Sequence, residues 1–356
     1  MIRAIQLIDS LDAGGAERLA VTYANLLVSE IDGSFLCATR QEGLLKDSIG
    51  KGVKYLFLQK KSSIDLNAVI RFKKYLKTND ISIIHAHATS FFFATLTKLF
   101  YPRIKIFWHD HYGKSEELKK RPKFILQFCS LFFHQIFSVN QKLLTWASKN
   151  LFCSKVQYLP NVVMLNDLDQ ETNLFGEDNK RILCLANLRP QKDHLNLFKA
   201  FQLILKTYPD WTLHCVGKDF EDDYSRSIKE FVSKNSLEDS IYFYNSKPDI
   251  KHIISQCEIG VLSSKSEGLP LALLEYGLGE LASVVTNVGD CGLVLSSTNL
   301  GQLVEAQDPS GLAEALTACI AKTDYRKEVG LNLKQKVEQS FSCHSIIKKL
   351  KDAYEG

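Results

Sequence analysis

Short apolar runs alternate with longer amphipathic stretches along the first half of the chain. Consecutive apolar residues suit strands that are buried on both faces of a sheet. The predicted strands are Ala4–Ile8, Phe35–Thr39, Val53–Leu58, Ile81–His85, Ile104–Trp108, Ile136–Val139 and Val156–Leu159. Apolar residues recur at helical spacing between them, in Glu17–Leu27, Leu66–Leu76 and Phe91–Leu99. Strands that alternate with helices predict βαβ units and a parallel sheet.

A polar stretch at residues 164–180 interrupts this alternation and predicts an interdomain linker. The alternation then resumes, with strands predicted at Ile182–Ala186, Trp211–Val216, Ile241–Tyr244, Gly260–Leu262 and Ser283–Thr286. The sequence therefore predicts an α/β protein with two doubly wound domains, residues 1–165 and 166–341. Ligands of such sheets bind beyond the carboxyl ends of the strands, so we expect a cleft between the two domains.

Length and composition agree with two cores in a water-soluble protein. The 356 residues exceed what one hydrophobic core usually supports. The net charge of +4, from 44 basic and 40 acidic residues, argues against nucleic-acid binding. The nine cysteines are scattered, odd in number and never spaced as C-x-x-C, so we expect neither a disulfide framework nor a zinc site. Without an uncharged 18-residue apolar stretch or a signal peptide, the chain is predicted to be cytoplasmic.

Two glutamates, Glu267 and Glu275, flank a predicted turn from strand to helix. Gly268 allows close approach of a ligand, and Pro270 suits the first helical turn. The free N–H groups within residues 268–271, of which Pro270 has none, form with the helix dipole behind them a site suited to a diphosphate. The alternative is an acidic residue at an ordinary helix start, accompanied by an unrelated surface glutamate.

Two further segments follow predicted strands. Arg189 and Lys192 lie three positions apart after Ile182–Ala186, where both cations could point at one diphosphate. A solvated basic loop is the alternative. Gly14 and Gly15 follow the first strand and open a helix, but without G-x-G-x-x-G they do not form a dinucleotide site. A simple tight turn is the alternative for this pair.

Four of the nine histidines fall at the ends of two predicted strands: His85, His87, His109 and His111. Imidazoles at these positions would line a cleft. One alternative is a set of structural histidines. Another is a zinc site that includes Asp110.

In order and spacing, these segments resemble the retaining glycosyltransferases of family 4, which have the GT-B fold. The matching segments are GGAER at residues 14–18, R-x-x-K at 189–192 and E-x7-E at 267–275. The resemblance implies that Glu267 lies by the donor sugar and that Glu275 binds the ribose hydroxyls. It also implies that Arg189 and Lys192 neutralise the leaving diphosphate without a metal.

The resemblance implies roles for other positions as well. His109 would approach the donor sugar, with His111 as the second choice. Candidates on the acceptor side are His111, His87 and Arg18, and the remaining donor contacts would be Gly14, Gly15, Asn245, Gly268, Leu269, Pro270 and Leu271. A terminal helix at residues 342–356 would pack back on the first domain. Asp290 replaces a glycine of the family's double-glycine loop, which leaves the identity of the donor open.

The function expected from this resemblance is retaining transfer of a sugar, from a UDP-hexose, to a glycan or lipid-linked acceptor in bacterial surface polysaccharide synthesis. The nucleotide sugar is the co-substrate, and no metal or other cofactor is expected. The alternatives are a sugar-nucleotide 2-epimerase of the same architecture and a non-catalytic membrane-surface protein.

Two other segments of the sequence have more than one interpretation. Residues 114–137 combine a basic cluster with aromatic residues, which predicts either a core helix or a peripheral contact with the inner face of the membrane. A D-x-D sequence at Asp167–Asp169 falls in the predicted linker, so we interpret it as chance rather than a metal motif.

Overall fold

Two compact units make up the chain in a computed structural model that describes residues 1–12, 14–112, 115–165 and 170–356. Met1–Val162 and Cys343–Gly356 form the first unit, the N-terminal domain. Val163–Ser342 form the second, the C-terminal domain. The boundary predicted between residues 165 and 166 falls slightly beyond the structural one. The D-x-D sequence at 167–169 lies outside the described residues.

A seven-stranded parallel sheet organises the N-terminal domain, in the order β3-β2-β1-β4-β5-β6-β7. Its strands are β1 (Arg3–Ser10), β2 (Gly33–Gln41), β3 (Lys54–Phe57), β4 (Ile83–His87), β5 (Lys105–Asp110), β6 (Gln135–Ser138) and β7 (Val156–Tyr158). The helices between them are α1 (Gly15–Leu27), α2 (Leu66–Thr78), α3 (Phe91–Phe100), α4 (Phe124–Ser130) and α5 (Gln141–Asn150).

A six-stranded parallel sheet organises the C-terminal domain, in the order β10-β9-β8-β11-β12-β13. Its strands are β8 (Arg181–Leu185), β9 (Thr212–Val216), β10 (Ile241–Tyr244), β11 (Ile259–Leu262), β12 (Ala282–Thr286) and β13 (Gln302–Val304). Its helices are α6 (His194–Leu205), α7 (Asp223–Lys234), α8 (Ile250–Ser255), α9 (Leu271–Leu278), α10 (Cys291–Val294), α11 (Pro309–Ala321) and α12 (Thr323–Ser340).

Burial on both faces explains why apolar runs formed most of these strands. Every residue of β8, β9, β11 and β12 is buried, as expected for a parallel sheet covered by helices. Short polar side chains begin several helices: Asp65, Asn140 and Asp222 each accept a hydrogen bond from a backbone N–H in the first turn. All nine cysteines are free.

Each sheet has a switch point, where the strand order reverses beside its first strand. The switch point lies between β1 and β4 in the N-terminal domain, and between β8 and β11 in the C-terminal domain. Ligands of open α/β sheets bind at such points, beyond the carboxyl ends of the strands. The segments that follow β1, β8 and β11 contain the glycine pair, the R-x-x-K segment and the E-x7-E segment, and His87 is the last residue of β4.

The segment after residue 170 is part of the C-terminal domain rather than a free linker, which corrects the sequence interpretation. The carboxylate of Asp249 accepts hydrogen bonds from the backbone N–H groups of Glu171 and Thr172, at 3.0 and 2.7 Å. Leu174 is buried in the core of this domain. Thr172 and Leu174 are buried and attach the segment to the domain, whereas the polar side chains between and after them are exposed.

Residues 114–137 do not form the single helical segment that their composition suggested. A 3₁₀ turn at Ser115–Lys120 and the short helix α4 lie on either side of Pro122, and β6 follows. Proline has no N–H and its ring disfavours the helical conformation of the residue before it, which explains the break.

The terminal helix α13 (Cys343–Glu355) belongs to the N-terminal domain. Its residues Ile346, Leu350 and Tyr354 are buried in one cluster with Tyr23 and Phe107. Within the described ranges, no helix combines the length and apolar character needed to cross a membrane.

Candidate functional site

The loops that follow β8 and β11 are joined at the switch point of the C-terminal domain. The backbone N–H of Lys265 donates to the carbonyl of Gln191 at 2.8 Å. The hydroxyl of Ser263 lies 2.9 Å from the carbonyl of Lys192 and 3.0 Å from that of Asp193. Asp193 has a left-handed φ of 49°, which turns the chain into α6. These contacts place the R-x-x-K segment beside the E-x7-E segment.

Lys192 and Glu267 form an ion pair at this junction. Lys192 Nζ donates to Glu267 Oε1 at 2.6 Å, and the hydroxyl of Ser264 donates to the same oxygen at 2.6 Å. The side chain of Glu267 is 9% exposed and that of Lys192 is 22% exposed. An ammonium group has three donors, so Lys192 can bind a phosphate while it holds Glu267. The sequence analysis missed Ser264, although a serine three positions before a carboxylate in a turn could have suggested it.

Helix α9 begins at Leu271, one residue later than the sequence suggested. Pro270 is extended, with φ −73° and ψ 115°, and precedes the helix instead of occupying its first turn. The first N–H groups of a helix lack partners within it, and those of α9 start at Leu271. The predicted anion site therefore consists of this helix start and the turn at residues 268–269.

Gly289 in the loop after β12 is required by both conformation and space. Its φ is +57°, and a Cβ atom there would lie 2.2 Å from the carbonyl oxygen of Glu267. The next residue, Asp290, donates its backbone N–H to the carbonyl of Gly268 at 2.8 Å. This loop therefore fixes the turn that carries Glu267, and Asp290 in place of a second glycine is compatible with that contact.

Glu275 lies in the second turn of α9 with its side chain partly buried. Burial raises its pKa from 4.5 to about 7. No residue in the described part of the chain donates a hydrogen bond to this carboxylate or forms an ion pair with it. A partly buried acceptor without a donor is suited to bind hydroxyl groups of a ligand.

Arg189 and Asn245 lie on loops that follow β8 and β10. The guanidinium of Arg189 is 4.5 Å from the centre of the Phe220 ring, and Lys218 Nζ is 5.2 Å from the same ring. The side-chain carbonyl of Asn245 accepts the backbone N–H of Asp219 at 3.3 Å. The sequence analysis missed Lys218 and Phe220, whose position just after β9 was the available signal.

Gly14 and Gly15 start α1 at the switch point of the N-terminal domain. Gly14 has a φ of −87°, which any residue can adopt. A Cβ atom on Gly15 would meet no other atom within 4 Å, so nothing described in the chain requires glycine there. The space beside Gly14 is taken by the carboxylate of Glu17, whereas Gly15 faces open space, and Arg18 is exposed on the same helix.

The four histidines predicted at strand ends lie together in the N-terminal domain. His85, His87 and His109 are fully buried, whereas His111 is only partly buried. Burial lowers the pKa of all four, that of His111 to about 3. Both ring nitrogens of His109 are bonded within the domain, to His85 and to the carbonyl of Leu159. On this geometry His111, rather than His109 or His87, is placed to meet a ligand.

A zinc site that includes Asp110 does not fit these contacts. Asp110 forms a two-point ion pair with Arg121, at 2.6 and 2.8 Å. Across the described ranges, one group has three ligand atoms close enough for a metal, and it comprises His85, His87 and His109, whose atoms lie within 4.8 Å of one another. Each ring nitrogen of this group already has a protein partner. A metal ion would have to replace those hydrogen bonds.

A large cavity of about 1180 Å³ lies beside these histidines in the N-terminal domain. Its wall is mainly apolar and includes Ile64, Phe91, Phe92, Phe93, Trp108, Phe124 and Ile125. Polar residues on the wall include Asp9, Arg40, Lys60, His111 and Lys123. Such a lining suits a ligand that has both an apolar part and a few polar groups.

Asp9 and Lys60 form a polar centre on the wall of this cavity. Asp9 accepts hydrogen bonds from the hydroxyls of Thr39 and Thr89, at 2.6 and 2.8 Å, and from Lys60 Nζ at 3.3 Å. Burial alone would raise the pKa of Asp9, but the bond from Thr39 and the charge of Lys60 outweigh it and lower the pKa. Asp9 is therefore an ionised carboxylate with several donors around it.

Two family profiles match the chain in succession. Residues 13–166 match the profile described as Glycosyltransferase Family 4, and residues 166–336 match Glycosyl transferases group 1. The two matches together span nearly the whole of both domains.

Known proteins resemble the chain over most of its length. An uncharacterized glycosyltransferase of Haemophilus influenzae is 26% identical over 313 residues, which cover 85% of this chain and 83% of the relative. The UDP-Gal:alpha-D-GlcNAc-diphosphoundecaprenol alpha-1,3-galactosyltransferase of Escherichia coli is 23% identical, over 96% of this chain and 93% of the relative. The crystal structure of Anabaena Alr3699/HepE in complex with UDP has a TM-score of 0.80 at 16% identity, over 99% of this chain and 100% of that one. This likeness confirms the predicted fold class, the GT-B type with two Rossmann-like domains.

Proposed function

Because the chain belongs to the family 4, group 1 glycosyltransferases, we propose that it transfers a hexose from a UDP-sugar to a lipid-linked glycan acceptor, with retention of anomeric configuration. The observation that carries the proposal is the junction of Lys192 and Glu267 at the start of α9. A cation, a positioned carboxylate and a helix start meet there, at the switch point where α/β proteins bind nucleotides.

The donor diphosphate is assigned to the C-terminal domain. Arg189, Lys192 and the helix start supply positive charge where the diphosphate leaves, and such positioned charge is a major source of rate enhancement. These groups take the place of a metal ion in the proposal. The uridine diphosphate is supported by the donor in the name of the Escherichia coli relative and by the UDP complex of the Anabaena protein. The placement of Gly14 and Gly15 beside the donor stays a prediction.

If the reaction retains configuration, the contacts of the carboxylates around the cavity favour a mechanism without a covalent intermediate. Two carboxylates line the cavity, Asp9 and Asp110. Asp9 accepts from two hydroxyls and a lysine, and Asp110 is paired with Arg121. Protein donors hold both carboxylates in place, which argues against a covalent nucleophile on this wall. The proposal is therefore the front-face mechanism, in which the leaving phosphate helps to deprotonate the acceptor hydroxyl.

The acceptor is assigned to the apolar cavity of the N-terminal domain. Its aromatic wall suits a lipid chain, and Arg40, Lys60 and Lys123 suit the phosphates of a lipid carrier. Close to the cavity, α4 exposes Phe124, Ile125 and Phe128 next to basic residues. Exposed aromatic residues beside lysines favour contact with an anionic membrane surface. We place the enzyme at the cytoplasmic face of the membrane, in the synthesis of a bacterial surface polysaccharide.

Product analysis tests this function. The full-length protein is incubated with each of a panel of UDP-hexoses and with N-acetylglucosaminyl-diphosphoundecaprenol in detergent. We expect transfer from one donor without added metal, and the anomeric coupling of the product should match that of the donor. An inverted product or a requirement for Mg²⁺ would contradict the corresponding part of the proposal.

The same materials address the two alternatives. Epimerisation of a UDP-sugar without any acceptor would identify a sugar-nucleotide epimerase. Absence of nucleotide-sugar binding by calorimetry, together with retained vesicle binding, would identify a non-catalytic membrane-surface protein.

A further inference from the structure

A continuous chain of hydrogen bonds runs through the interior of the N-terminal domain. It links side chains of β1, β4, β5 and α13, and it ends on a backbone carbonyl. Its members in order are His111, His87, Gln6, Tyr354, His85, His109 and the carbonyl of Leu159. The successive distances are 3.2, 2.8, 3.2, 2.7, 3.3 and 3.3 Å.

The carbonyl of Leu159 fixes the direction of the bonds nearest to it. A carbonyl can only accept, so Nε2 of His109 carries a proton and, in the neutral ring, Nδ1 accepts. His85 must then donate from its Nε2. Its Nδ1 is therefore an acceptor, and it takes the hydroxyl proton of Tyr354.

The same reasoning fixes the remaining hydrogen bonds, from Tyr354 to His111. The oxygen of Tyr354 accepts the amide N–H of Gln6, and the carbonyl of Gln6 accepts Nε2–H of His87. Nδ1 of His87 then accepts Nε2–H of His111. All four histidines are neutral Nε2–H tautomers, in agreement with the pKa values that burial lowers.

The opposite orientation of the Gln6 amide is inconsistent with this series of hydrogen bonds. Gln6 would then accept from Tyr354, and Tyr354 would accept from Nδ1–H of His85. Nε2 of His85 and Nδ1 of His109 would face each other at 3.3 Å without a proton between them. The directions of the other hydrogen bonds therefore determine the orientation of the Gln6 amide.

These contacts do not make a proton relay. The last member is a peptide carbonyl, which does not take up a proton near neutral pH, so the chain has no outlet. They leave Nδ1 of His111 as the one ring nitrogen of the four histidines without a protein partner in the described residues. The ring of His111 lines the apolar cavity.

We propose that Gln6 and Tyr354 are positioning residues, which hold His111 as a neutral hydrogen-bond acceptor for a hydroxyl group in the cavity. This rests on the proposed function, in which the cavity binds the sugar acceptor. A neutral imidazole lone pair accepts a hydroxyl proton, whereas only a cationic or N–H-presenting ring attracts a phosphate. The wall at His111 therefore recognises a sugar hydroxyl of the acceptor and not its phosphate.

Histidine tautomers can be observed directly in full-length protein labelled with ¹⁵N-histidine. Long-range ¹H–¹⁵N spectra distinguish both neutral tautomers and the cation, and single His→Gln variants assign the signals. We expect four Nε2–H tautomers at pH 7. In Tyr354→Phe, His85 and His109 should keep this form because Leu159 still fixes them, whereas His87 and His111 should become mixtures. A general loss of structure would instead affect the His85–His109 pair and the His87–His111 pair alike.

Tyr23→Phe is the matched control. Tyr23 packs against His85 and His109, with ring centres 6.0 and 5.8 Å apart, and its buried hydroxyl has no hydrogen-bond partner among the described residues. Removal of this hydroxyl should leave all four tautomers unchanged. An Nδ1–H or cationic form among the four in the wild type would overturn the proposal, as would unchanged His87 and His111 in Tyr354→Phe.

The ligand is tested with two probes that share an alkyl chain, octyl β-glucoside and octyl phosphate, both below their micellar concentrations. We expect the glucoside to shift the Nδ1 signal of His111, with several-fold weaker apparent affinity in Tyr354→Phe and no change in Tyr23→Phe. A His111 that presents Nδ1–H or becomes cationic when octyl phosphate binds, or zinc bound at one equivalent and lost in His85→Gln, would overturn the proposal. Failure of glycosyl transfer would leave these spectra unaffected, so the two failures are distinguishable.

Discussion

Lys192 holds the carboxylate of Glu267 and, in the proposed mechanism, also binds the donor diphosphate. In Lys192→Ala the side chain of Glu267, only 9% exposed, would keep Ser264 as its remaining donor. Loss of one charge-stabilising donor typically lowers kcat by about 10²–10³-fold. We expect a loss of that size in steady-state transfer, with a decrease of about 1–3 kcal/mol in the free energy of unfolding.

Lys234→Ala is the control for this substitution, because Lys234 lies on the exposed surface of α7. Lys234→Ala should leave kcat for transfer and the free energy of unfolding nearly unchanged. Near-normal transfer by Lys192→Ala would refute the assignment of the donor site.

Glu275 predicts a pH dependence of stability with an unusual sign. Its pKa rises from 4.5 to about 7 on folding, so the folded protein holds the proton more tightly than the unfolded chain. The stability from this group is present below about pH 4.5 and is lost as the pH rises through about 7. We expect Glu275→Gln to be more stable than wild type at pH 8, by up to about 3 kcal/mol, with little difference near pH 4.5.

Denaturant unfolding at the two pH values measures this effect, and calorimetry with UDP measures its functional counterpart. Glu275→Gln should bind UDP more weakly even though it is more stable, since a neutral amide is a poorer acceptor for the ribose hydroxyls than a carboxylate. Glu238→Gln, at an exposed position in the same domain, should alter neither the stability at pH 8 nor the affinity for UDP. Equal stability of Glu275→Gln and wild type at pH 8 would contradict the partly buried, unpaired carboxylate.

At the scale of the elements, one carboxylate attaches the segment after residue 170 to the C-terminal domain. Asp249 is buried and accepts from the backbone N–H groups of Glu171 and Thr172 and from the Thr172 hydroxyl. In Asp249→Ala these buried donors would lose their acceptor. We expect a loss of about 3 kcal/mol and faster amide exchange across residues 171–176. Asp239→Ala, at an exposed position, is the control, and unchanged exchange in Asp249→Ala would show that other contacts hold the segment.

Helix α4 predicts how the protein meets a membrane. Phe128 and Leu131 are 56% and 60% exposed and lie outside the lining of the cavity. The double change Phe128→Ser, Leu131→Ser should lower co-sedimentation with phosphatidylglycerol vesicles at least several-fold, since each apolar side chain contributes about 1.5–3 kcal/mol when fully buried and a part of that in the membrane interface. Transfer to a short-chain soluble acceptor should be unchanged. Ile70→Ser, at a residue 60% exposed on α2, is the control, and equal binding by all three proteins would refute contact through α4.

The elements differ in how much of their position the sequence could predict. Strands buried on both faces, such as β8 and β11, produced clear apolar runs. The edge strand β13 did not, because it has three residues and Leu303 in its middle is 37% exposed. For residues 114–137 the composition favoured one amphipathic segment, and Pro122 divides its described part. The polar segment at 171–174 was misinterpreted because its partners, Asp249 and Gln256, are distant in sequence.

At the scale of the whole molecule, the order of elements carried much of the information about the site. Glycines, cations and carboxylates directly after strands could be predicted to lie at one edge of a sheet, and the strand orders place these loops at the two switch points. The side-chain partners could not be predicted. The link from His85 to Tyr354 spans 269 positions in sequence, and it exists only because α13 packs on the N-terminal domain.

The division into two domains predicts that each ligand protects its own set of loops. UDP should slow hydrogen exchange in residues 187–193, 263–271 and 287–290 of the C-terminal domain, because the proposed diphosphate site lies there. Octyl β-glucoside should instead protect residues 88–93 and the described residues at 108–112 and 121–126, which border the apolar cavity. GDP at the same concentration is the control for the base. Lys192→Ala should abolish the protection by UDP and leave the protection by octyl β-glucoside unchanged. Protection of the cavity loops by UDP, with none after β8 and β11, would place the nucleotide in the other domain and reverse the assignment of the two sites.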